Sequence, residues 1–287
     1  MTTCPLCRSS SQFRFERDGY AIQDCTSCDH RFAGGIPVEG HAERHYGDDY
    51  FSQGGAGYAD YLAEESLIVQ HGRRYGRLLK RFAKPGTLLD VGAAAGFILK
   101  GLTDEGWHGE GLEPNERMAR YGQEQFGLTI HSGSLETTSL TTEFDAISMV
   151  QVAAHFVDPL TAFATAARLT RPGGLWLIET WDRSSRTARL FGKHWHEYSP
   201  PTVLHWYTGP TLRKFLSRFG MRMLAQGKPM KWLDGAHAKS LLGEKLGPSP
   251  IGKLARACLK VVPDRLPIPY PSEDLFWAVF RKEGGVR

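Results

Sequence analysis

The fold is decided by residues 88–97, which read LLDVGAAAGF. The apolar residues before Gly92 are typical of a buried strand, and the small residues from Gly92 to Gly96 predict a tight turn that opens a helix. Doubly wound α/β folds bind nucleotides at such a turn. Asp90 lies two residues before the first glycine, where a carboxylate repels a pyrophosphate but accepts hydrogen bonds from an ammonium group. The stretch therefore predicts a nucleotide-type site and disfavours a dinucleotide.

A second acidic residue follows after about 20 further residues, the spacing of the ribose-binding acid in nucleotide folds. Glu113 ends the next predicted strand, where a carboxylate can accept hydrogen bonds from both hydroxyls of a ribose. Two carboxylates at the ends of consecutive strands suit a single ligand. The alternative is that Glu113 caps the helix predicted to begin beyond Pro114.

Predicted strands and helices alternate on both sides of this stretch. We expect strands at residues 87–91, 109–113, 128–131, 144–150, 175–179 and 275–281, and helices that begin near residues 95, 115 and 159. Such alternation predicts an α/β fold with a doubly wound, Rossmann-like parallel sheet and helices on both of its faces.

Four motifs of this region are, in chain order, Asp90-x-Gly92-x-x-x-Gly96, Glu113, Phe144-Asp145 and Arg171-Pro172-Gly173-Gly174. They resemble the first motif, the ribose acid, the opening of the fourth strand and the turn before the fifth strand of the class I S-adenosylmethionine-dependent methyltransferases. The resemblance covers residues 85–182 and the final strand. It implies a seven-stranded sheet, S-adenosylmethionine as cofactor and methyl transfer as activity.

The same resemblance implies a set of cofactor-binding residues: Asp90, Gly92, Ala93, Gly96, Glu113, Pro114, Ser134, Leu135, Gln151 and Val152. Ser134 and Leu135 are expected beside the adenine, and Gln151 and Val152 near the sulfonium. Tyr58 belongs to an aromatic segment whose tyrosines either cover the ligand or pack the segment onto the domain.

The sequence departs from the family pattern at two places. Ala94 replaces the usual glycine at the centre of the first motif. After the fourth strand, the most similar members often read Leu-Glu-His, whereas this chain reads Ala153-Ala154-His155. The histidine is therefore present without the acid that would orient it.

Four of the five cysteines form two pairs, Cys4-x-x-Cys7 and Cys25-x-x-Cys28. This spacing is typical of a zinc ribbon, in which two tight turns direct four thiolates at one ion. The alternative, two disulfides, is disfavoured in a reducing cytoplasm. Four sulfur ligands leave no open position for water or substrate, so we expect a structural zinc. His30 is expected at the surface rather than as a ligand.

Three regions are predicted from these features. Residues 1–35 form the zinc ribbon, and residues 36–84 form an aromatic linker or lid followed by a helix over residues 58–82. Residues 85–287 form the methyltransferase domain, in which residues 233–262 are a helical insertion that serves as a cap or a dimer interface.

Histidines are the predicted catalytic bases, because an unperturbed imidazole titrates close to neutral pH and can accept the acceptor's proton. His155 follows the fourth strand and His196 follows the fifth, so both are expected at the carboxyl edge of the sheet. Tyr198 and His205 are predicted to contact substrate. The alternative for each of these residues is a structural role in hydrogen bonding and packing.

The net charge of +4 is mild for 287 residues, and basic and acidic residues are interspersed. The sequence therefore disfavours a nucleic-acid partner. The aromatic residues around His196 and His205 favour a small-molecule or glycan acceptor, methylated on oxygen or carbon. By resemblance, a zinc ribbon on this domain implies natural-product or polysaccharide biosynthesis. No apolar stretch of about 18 residues predicts a membrane span, and we expect a cytoplasmic protein.

Two other functions remain open from the sequence. By resemblance, zinc ribbons also occur on ribosomal RNA methyltransferases, which would require a basic patch around the ribbon. A protein of another class, a non-catalytic binding module on a degenerate methyltransferase fold, is suggested by Ala153 and Ala154. The retained Asp90, Gly92 and Glu113 argue against it.

Overall fold

A computed structural model of the protein describes residues 2–37, 39–51, 61–233, 263, 268–270 and 272–284. The chain divides into two compact units, Met1–Lys228 with Glu273–Arg287 and Pro229–Ser272. Within the described ranges, none of the helices has the length and apolar character that a membrane crossing needs.

The N-terminal part is a three-stranded antiparallel ribbon followed by a short helix: β1 (Ser11–Arg17), β2 (Tyr20–Cys25), β3 (Arg31–Ala33) and α1 (His41–His45). Asp18 and Gly19 form the two-residue loop between β1 and β2, with φ of 50° and 80°. Both residues have positive φ, as a tight hairpin turn that matches the twist of the strands requires.

The first half of the methyltransferase-like part alternates helices and strands: α2 (Glu65–Lys80), β4 (Thr87–Val91), α3 (Phe97–Asp104), β5 (His108–Glu113), α4 (Glu116–Phe126) and β6 (Thr129–Ser132). Helix α2 is shorter than the predicted helix 58–82.

The second half continues with β7 (Phe144–Val150), α5 (Pro159–Arg168), β8 (Thr170–Trp181), α6 (Arg186–Phe191), β9 (His205–Trp206), α7 (Gly209–Leu216) and β10 (Met221–Gly227). The second unit contributes a two-stranded antiparallel ribbon of β11 (Lys231–Leu233) and β12 (Ile268–Tyr270), and the first unit closes with β13 (Leu275–Lys282). Of the predicted helical insertion 233–262, Leu233 ends a strand and residues 234–262 lie outside the described residues.

The main sheet has seven strands in the order β10-β13-β8-β7-β4-β5-β6. The five strands from β8 to β6 are parallel, and β13 pairs antiparallel with both β8 and β10. The predicted α/β fold with a doubly wound seven-stranded sheet is confirmed. Because β4 lies at the point where the strand order reverses, the carboxyl ends of β4, β5, β7 and β8 border one crevice.

The N-terminal ribbon shares a sheet with the methyltransferase-like part, in the order β1-β2-β3-β9. Phe32 of β3 is paired with His205 of β9, and Tyr207 bridges to Asp182 just after β8. The ribbon is therefore held at the carboxyl edge of the main sheet.

Helices α2 and α3 approach closely because glycines face each other. A Cβ on Gly72 would lie 2.4 Å from the carbonyl oxygen of Ile98, and one on Gly101 would lie 2.2 Å from that of Val69. A larger side chain at either position forces the helices apart. This contact fixes α2 and the buried side chains that it carries, His71 and Tyr75.

Candidate functional site

The turn after β4 runs through three residues with positive φ: Gly92 at 65°, Ala94 at 47° and Gly96 at 79°. A Cβ on Gly92 would lie 2.4 Å from Cγ2 of Val152, so a side chain there would clash with that valine. Ala94 occupies a left-handed conformation that glycine adopts more easily. Its backbone amide donates to Oε2 of Glu113 at 2.8 Å, which fixes this turn against the end of β5.

Two buried carboxylates lie at the ends of adjacent strands. Asp90 and Glu113 are only 2% and 3% exposed. Oδ1 of Asp90 accepts from the hydroxyl of Ser148 at 2.6 Å, and Oε1 of Glu113 accepts from the backbone amide of Asn115 at 2.8 Å. Burial raises the pKa of Asp90 to about 7. The hydrogen bond from Ser148 opposes this rise, and the negative charge of Glu113 adds to it. Burial raises the pKa of Glu113 to about 7 as well.

The alternative role of Glu113 as a helix cap is not observed. The N-cap of α4 is Asn115, whose side-chain oxygen accepts from the backbone amide of Met118 at 2.9 Å. Within the described parts of the chain, no lysine or arginine pairs with Asp90 or Glu113. A ligand that brings an ammonium group and ribose hydroxyls would satisfy both carboxylates, so the residues present fit S-adenosylmethionine.

The other residues of the predicted cofactor set lie along the same edge of the sheet. Ala93 is in the turn, Pro114 lies between β5 and α4, and Ser134 and Leu135 follow β6. Gln151 and Val152 directly follow β7, and Gln151 has a positive φ of 58°. Tyr58 lies outside the described residues.

The linker contributes Tyr46 and Tyr50, two tyrosines of the aromatic segment predicted either to cover the ligand or to pack onto the domain. The side-chain amide of Asn115 donates to the carbonyl of Tyr46 at 3.0 Å, which holds the linker over the start of α4. The rings of Tyr46 and Tyr50 are edge to face, with centroids 5.4 Å apart. Burial raises the pKa of Tyr50 to about 12, and the negative charges of Glu197 and Glu113 add to this rise. The linker therefore lies beside the carboxylate predicted to bind ribose.

His155 is held by a backbone carbonyl instead of an acid. Its Nδ1 lies 2.7 Å from the carbonyl oxygen of Thr202, and the hydroxyl of Tyr46 donates to the same carbonyl at 2.8 Å. Burial lowers the pKa of His155, and the backbone carbonyls of Thr202 and Gln151 partly oppose this by raising it. The ring is therefore neutral near pH 7, with its Nδ1 proton directed at Thr202.

The missing acid has a packing explanation. Ala153 and Ala154 are fully buried. The carbonyl of Ala154 accepts from the backbone amides of Leu204 and His205, at 2.8 Å and 3.1 Å. Leu204 directly precedes β9, the strand that pairs with the ribbon, and His205 is its first residue. A carboxylate in place of Ala154 would be buried in an apolar cluster that includes Trp195 and Leu204. Such burial is costly unless a cation compensates the charge.

His196 lies in a more open setting. Its side chain is 48% exposed, and its Nε2 is 2.8 Å from Oε1 of Glu197 and 4.0 Å from Oδ2 of Asp274. The indole nitrogen of Trp195 donates to the same oxygen of Asp274 at 3.0 Å. His196 is therefore accessible to a substrate and paired with a carboxylate.

The structure places His205 and Tyr198 in buried positions, at 3% and 2% exposure. Nε2 of His205 lies 2.8 Å from the carbonyl of Phe156, and its Nδ1 lies 3.1 Å from Nε2 of His30. His30 is itself fully buried, so the prediction that it lies at the surface is wrong. Because both ring nitrogens of His205 are engaged by His30 and Phe156, this histidine joins the ribbon to the main domain and has no ring nitrogen left to contact a substrate.

One buried cluster was missed by the sequence reasoning. Glu179, near the carboxyl end of β8, is fully buried. Its carboxylate accepts from the hydroxyl of Tyr75, from Nε2 of His71 at 2.9 Å and from Nε2 of Gln151 at 2.9 Å. The backbone amide of Gln151 also donates to the carbonyl of Glu179 at 2.8 Å. The cluster therefore fixes the residue expected near the sulfonium. The signal available in the sequence was His71 and Tyr75, one turn apart on the same helix face.

The four cysteines meet at one point, as the zinc prediction requires. Sγ of Cys4 lies 3.7 Å from that of Cys28, and Sγ of Cys7 lies 3.4 Å from that of Cys25. All four sulfurs are within 4.8 Å of one another. Tetrahedral zinc–sulfur bonds of about 2.3 Å place sulfurs about 3.8 Å apart, whereas a disulfide requires about 2.05 Å. The backbone amides of Ser27 and Cys28 donate to Sγ of Cys25, as they would to a metal-bound thiolate. The donor set fits a structural zinc ion.

We expect native mass spectrometry to find one zinc ion per chain and Cys25→Ser to remove it. The ribbon shares a sheet with β9, so loss of the ion should also lower the melting temperature of the whole chain. Cys258→Ser, which changes the one cysteine outside the cluster, serves as the matched control and should keep one zinc. A wild-type chain without zinc, or a Cys25→Ser variant that retains it, contradicts the assignment.

Comparison with known proteins gives one family. The profile of a family described as a methyltransferase domain matches residues 65–226. A ubiquinone biosynthesis O-methyltransferase of Caulobacter vibrioides is 25% identical over 155 residues, which cover 50% of this chain and 59% of that protein. The chain thus matches little more than half the length of that relative.

Solved structures show the same fold at low identity. A SAM-dependent methyltransferase of Thermotoga maritima, described as a possible histamine N-methyltransferase, superposes with a TM-score of 0.51 at 18% identity, covering 78% of this chain and 93% of that one. The 1,6-didemethyltoxoflavin-N1-methyltransferase of Burkholderia thailandensis, solved with its substrate and S-adenosylhomocysteine, gives 0.53 at 13% identity over 95% of this chain and all of that one. At these identities the likeness concerns the fold.

Proposed function

Because the chain belongs to the methyltransferase-domain family, we propose that it transfers the methyl group of S-adenosylmethionine to an oxygen or carbon atom of a small molecule, with a histidine as the base. The acceptor class is supported by the small-molecule substrates in the names of its relatives, a ubiquinone biosynthesis O-methyltransferase and a toxoflavin-precursor methyltransferase. A sugar or glycan acceptor belongs to the same proposal and rests on the sequence alone.

The observation that carries the proposal is the pair of buried carboxylates, Asp90 and Glu113, at the carboxyl ends of β4 and β5. A carboxylate removed from water is costly unless a partner compensates it. We infer that Asp90 accepts from the ammonium group of the cofactor and that Glu113 accepts from its ribose hydroxyls. The turn from Gly92 to Gly96 leaves room for the ligand because it carries no large side chain.

S-adenosylmethionine, when bound, supplies a methyl group on a sulfonium that an acceptor atom displaces in line. The chain has to align the acceptor, exclude water and take up the acceptor's proton. Tyr46 and Tyr50 cover the side of the site that Glu113 borders. Gln151, which is hydrogen-bonded to Glu179, is proposed to orient the reacting groups.

His155 is the first candidate for the base. Its lowered pKa keeps the ring neutral and able to accept a proton near pH 7. The carbonyl of Thr202 holds the Nδ1 proton and so takes over the orienting role of the missing acid. His196 is the second candidate, because its side chain is exposed and pairs with Glu197. The charges of Glu197 and Glu113 both raise the pKa of Tyr50, which indicates that Glu197 is near the cofactor side of the site.

The direct test is to incubate the protein with S-adenosylmethionine and a panel of phenols and sugars and to measure S-adenosylhomocysteine. Turnover with a member of the panel supports the proposal. Cofactor binding without product from any acceptor supports a non-catalytic binding module instead.

We expect His155→Gln to lower turnover by about 100- to 10,000-fold, the usual contribution of a general base, while the dissociation constant of the cofactor changes by no more than about twofold. His196→Gln is measured beside it to assign the base. His108→Gln is the matched control, because His108 is exposed at the opposite edge of the sheet. Full turnover in both the His155 and His196 variants would exclude a histidine base.

A further inference from the structure

A cleft of about 530 Å³ lies between the ribbon and the segment that follows β8. Its charged lining comprises Arg14, Arg31, Arg183, Arg189, Lys193 and a single carboxylate, Asp29. Asp24 pairs with Arg14 at 3.8 Å and with Arg31 at 2.6 Å, and Asp29 pairs with Arg183 at 2.8 Å. Five cations therefore face two carboxylates, which leaves the cleft with a net positive charge. Its volume is within the range of small-molecule sites, about 300–1,000 Å³.

Part of this charge is held rigidly in place. The guanidinium group of Arg31 donates twice to Asp24 at 2.6 Å and once to the hydroxyl of Tyr198 at 2.6 Å. It also lies 5.7 Å from the ring centres of both Phe15 and Tyr198. Such fixed guanidinium groups bind phosphate oxygens at little further cost in side-chain entropy.

Other donors of the cleft are left without acceptors. Nη2 of Arg183 donates to the carbonyl oxygen of Asp29 at 2.5 Å and lies 2.8 Å from Oδ2 of the same residue, but Nε of Arg183 is buried and has no hydrogen-bond partner among the described residues. Arg189 and Lys193 are exposed and form no ion pair within the described part of the chain. A buried donor without an acceptor is rare in folded proteins and is satisfied by an oxygen of a ligand or water.

The cleft lies on the same edge of the sheet as the cofactor carboxylates. Arg183 follows the carboxyl end of β8, which is two strands from β4 in the sheet, about 10 Å at the usual strand spacing. We propose that this cleft binds the phosphate groups of the acceptor, so that the substrate is a phosphate-bearing small molecule, most suitably a diphosphate, methylated at a distance from its phosphates. This inference rests on the proposed function for the identity of the ligand as acceptor.

The test is calorimetric titration of the full chain with inorganic pyrophosphate at low ionic strength, in the absence of S-adenosylmethionine. We expect Arg189→Ala combined with Lys193→Ala to weaken pyrophosphate binding by about tenfold or more. The matched control is Arg77→Ala with Lys80→Ala, an equal loss of charge on α2 near the opposite edge of the sheet, and it should bind as the wild type does. Orthophosphate should bind more weakly than pyrophosphate.

No binding of pyrophosphate to the wild type at millimolar concentration, or equal binding by the cleft variant, would overturn the proposal. So would single-stranded RNA that binds the cleft more tightly than pyrophosphate, since a nucleic-acid acceptor would then be favoured. Titration of S-adenosylmethionine in the same preparations separates the two proposals. A wild type that binds pyrophosphate but not the cofactor refutes the methyltransferase proposal and leaves the cleft as a phosphate site without a role for an acceptor. A wild type that binds the cofactor but not pyrophosphate refutes the cleft assignment alone.

Discussion

Asp90→Asn is expected to weaken binding of S-adenosylmethionine at pH 7.5 by about 30- to 1,000-fold, the equivalent of about 2–4 kcal/mol. The asparagine keeps the shape and the acceptor oxygen for Ser148 but removes the charge that we assign to the cofactor's ammonium group. Glu113→Gln should weaken binding by a similar factor, because an amide nitrogen would replace one of the oxygens that accept from Ala94 and Asn115. Calorimetric titration measures both changes.

The wild type should also bind the cofactor less tightly as the pH falls through 7. The pKa of both carboxyl groups in the free protein is raised to about 7 by burial, so below that pH they are increasingly protonated and neutral. Because the ammonium group pairs with the ionised form of Asp90, this carboxyl must lose its proton on binding, which costs about tenfold in affinity for each pH unit below 7. The ligand's own α-amino group, with a pKa of about 7.7–8.0, stays charged over this range.

Asp90→Asn should flatten this pH dependence as well as lower the affinity. Glu124→Gln, a loss of one exposed charge on α4, is the matched control and should leave both unchanged. If Asp90→Asn bound S-adenosylmethionine as tightly as the wild type, or if affinity rose on acidification, the assignment of the carboxylates would be wrong.

The region that carries these carboxylates could be predicted closely from the sequence. Strands 87–91 and 144–150 have the predicted bounds, because each is a short buried apolar run between turn signals. The positions of Asp90 and Glu113 at strand ends followed from the same local pattern. The fold class followed because regular alternation of strands and helices leaves few other arrangements.

The features that could not be predicted depend on contacts between distant segments. The two-residue strand β9 forms only because it pairs with the ribbon, and its own residues do not indicate a strand. His30 and His205 are buried for the same reason, since each covers the other across that pairing. The basic cleft combines the ribbon with residues about 150 positions away, so no window of sequence contains it.

The Glu179 cluster predicts the second large effect, a loss of stability in Glu179→Gln. The carboxylate accepts from three side chains, and an amide in its place would direct an NH₂ group at the donors of His71, Tyr75 or Gln151. Leaving buried polar groups unpaired costs about 1–3 kcal/mol each, and disrupting a buried charged network costs about 3–5 kcal/mol. We expect the free energy of unfolding to fall by about 3 kcal/mol and the melting temperature by about 6–12 °C.

A double-mutant cycle separates the network from general damage to the core. Tyr75→Phe alone removes one hydrogen-bond donor to Glu179. Because the two side chains share this hydrogen bond, the double variant should lose about 1–3 kcal/mol less free energy of unfolding than the sum of the two single variants. Glu143→Gln, at an exposed position, should change the free energy of unfolding by no more than about 0.5 kcal/mol. Additive effects of the first two variants would show that Glu179 acts independently of Tyr75.

The same variant tests the link between the cluster and the cofactor site. Gln151 keeps its positive φ of 58° while its backbone amide and its side-chain amide are both bonded to Glu179. A left-handed conformation at a non-glycine residue costs free energy and persists only where its surroundings impose it. When the side-chain bond is lost, Gln151 should relax away from the position that we propose it holds beside the cofactor. The dissociation constant of S-adenosylmethionine, measured well below the melting temperature of Glu179→Gln, should therefore rise, whereas an unchanged constant would make the cluster a purely structural element of the core.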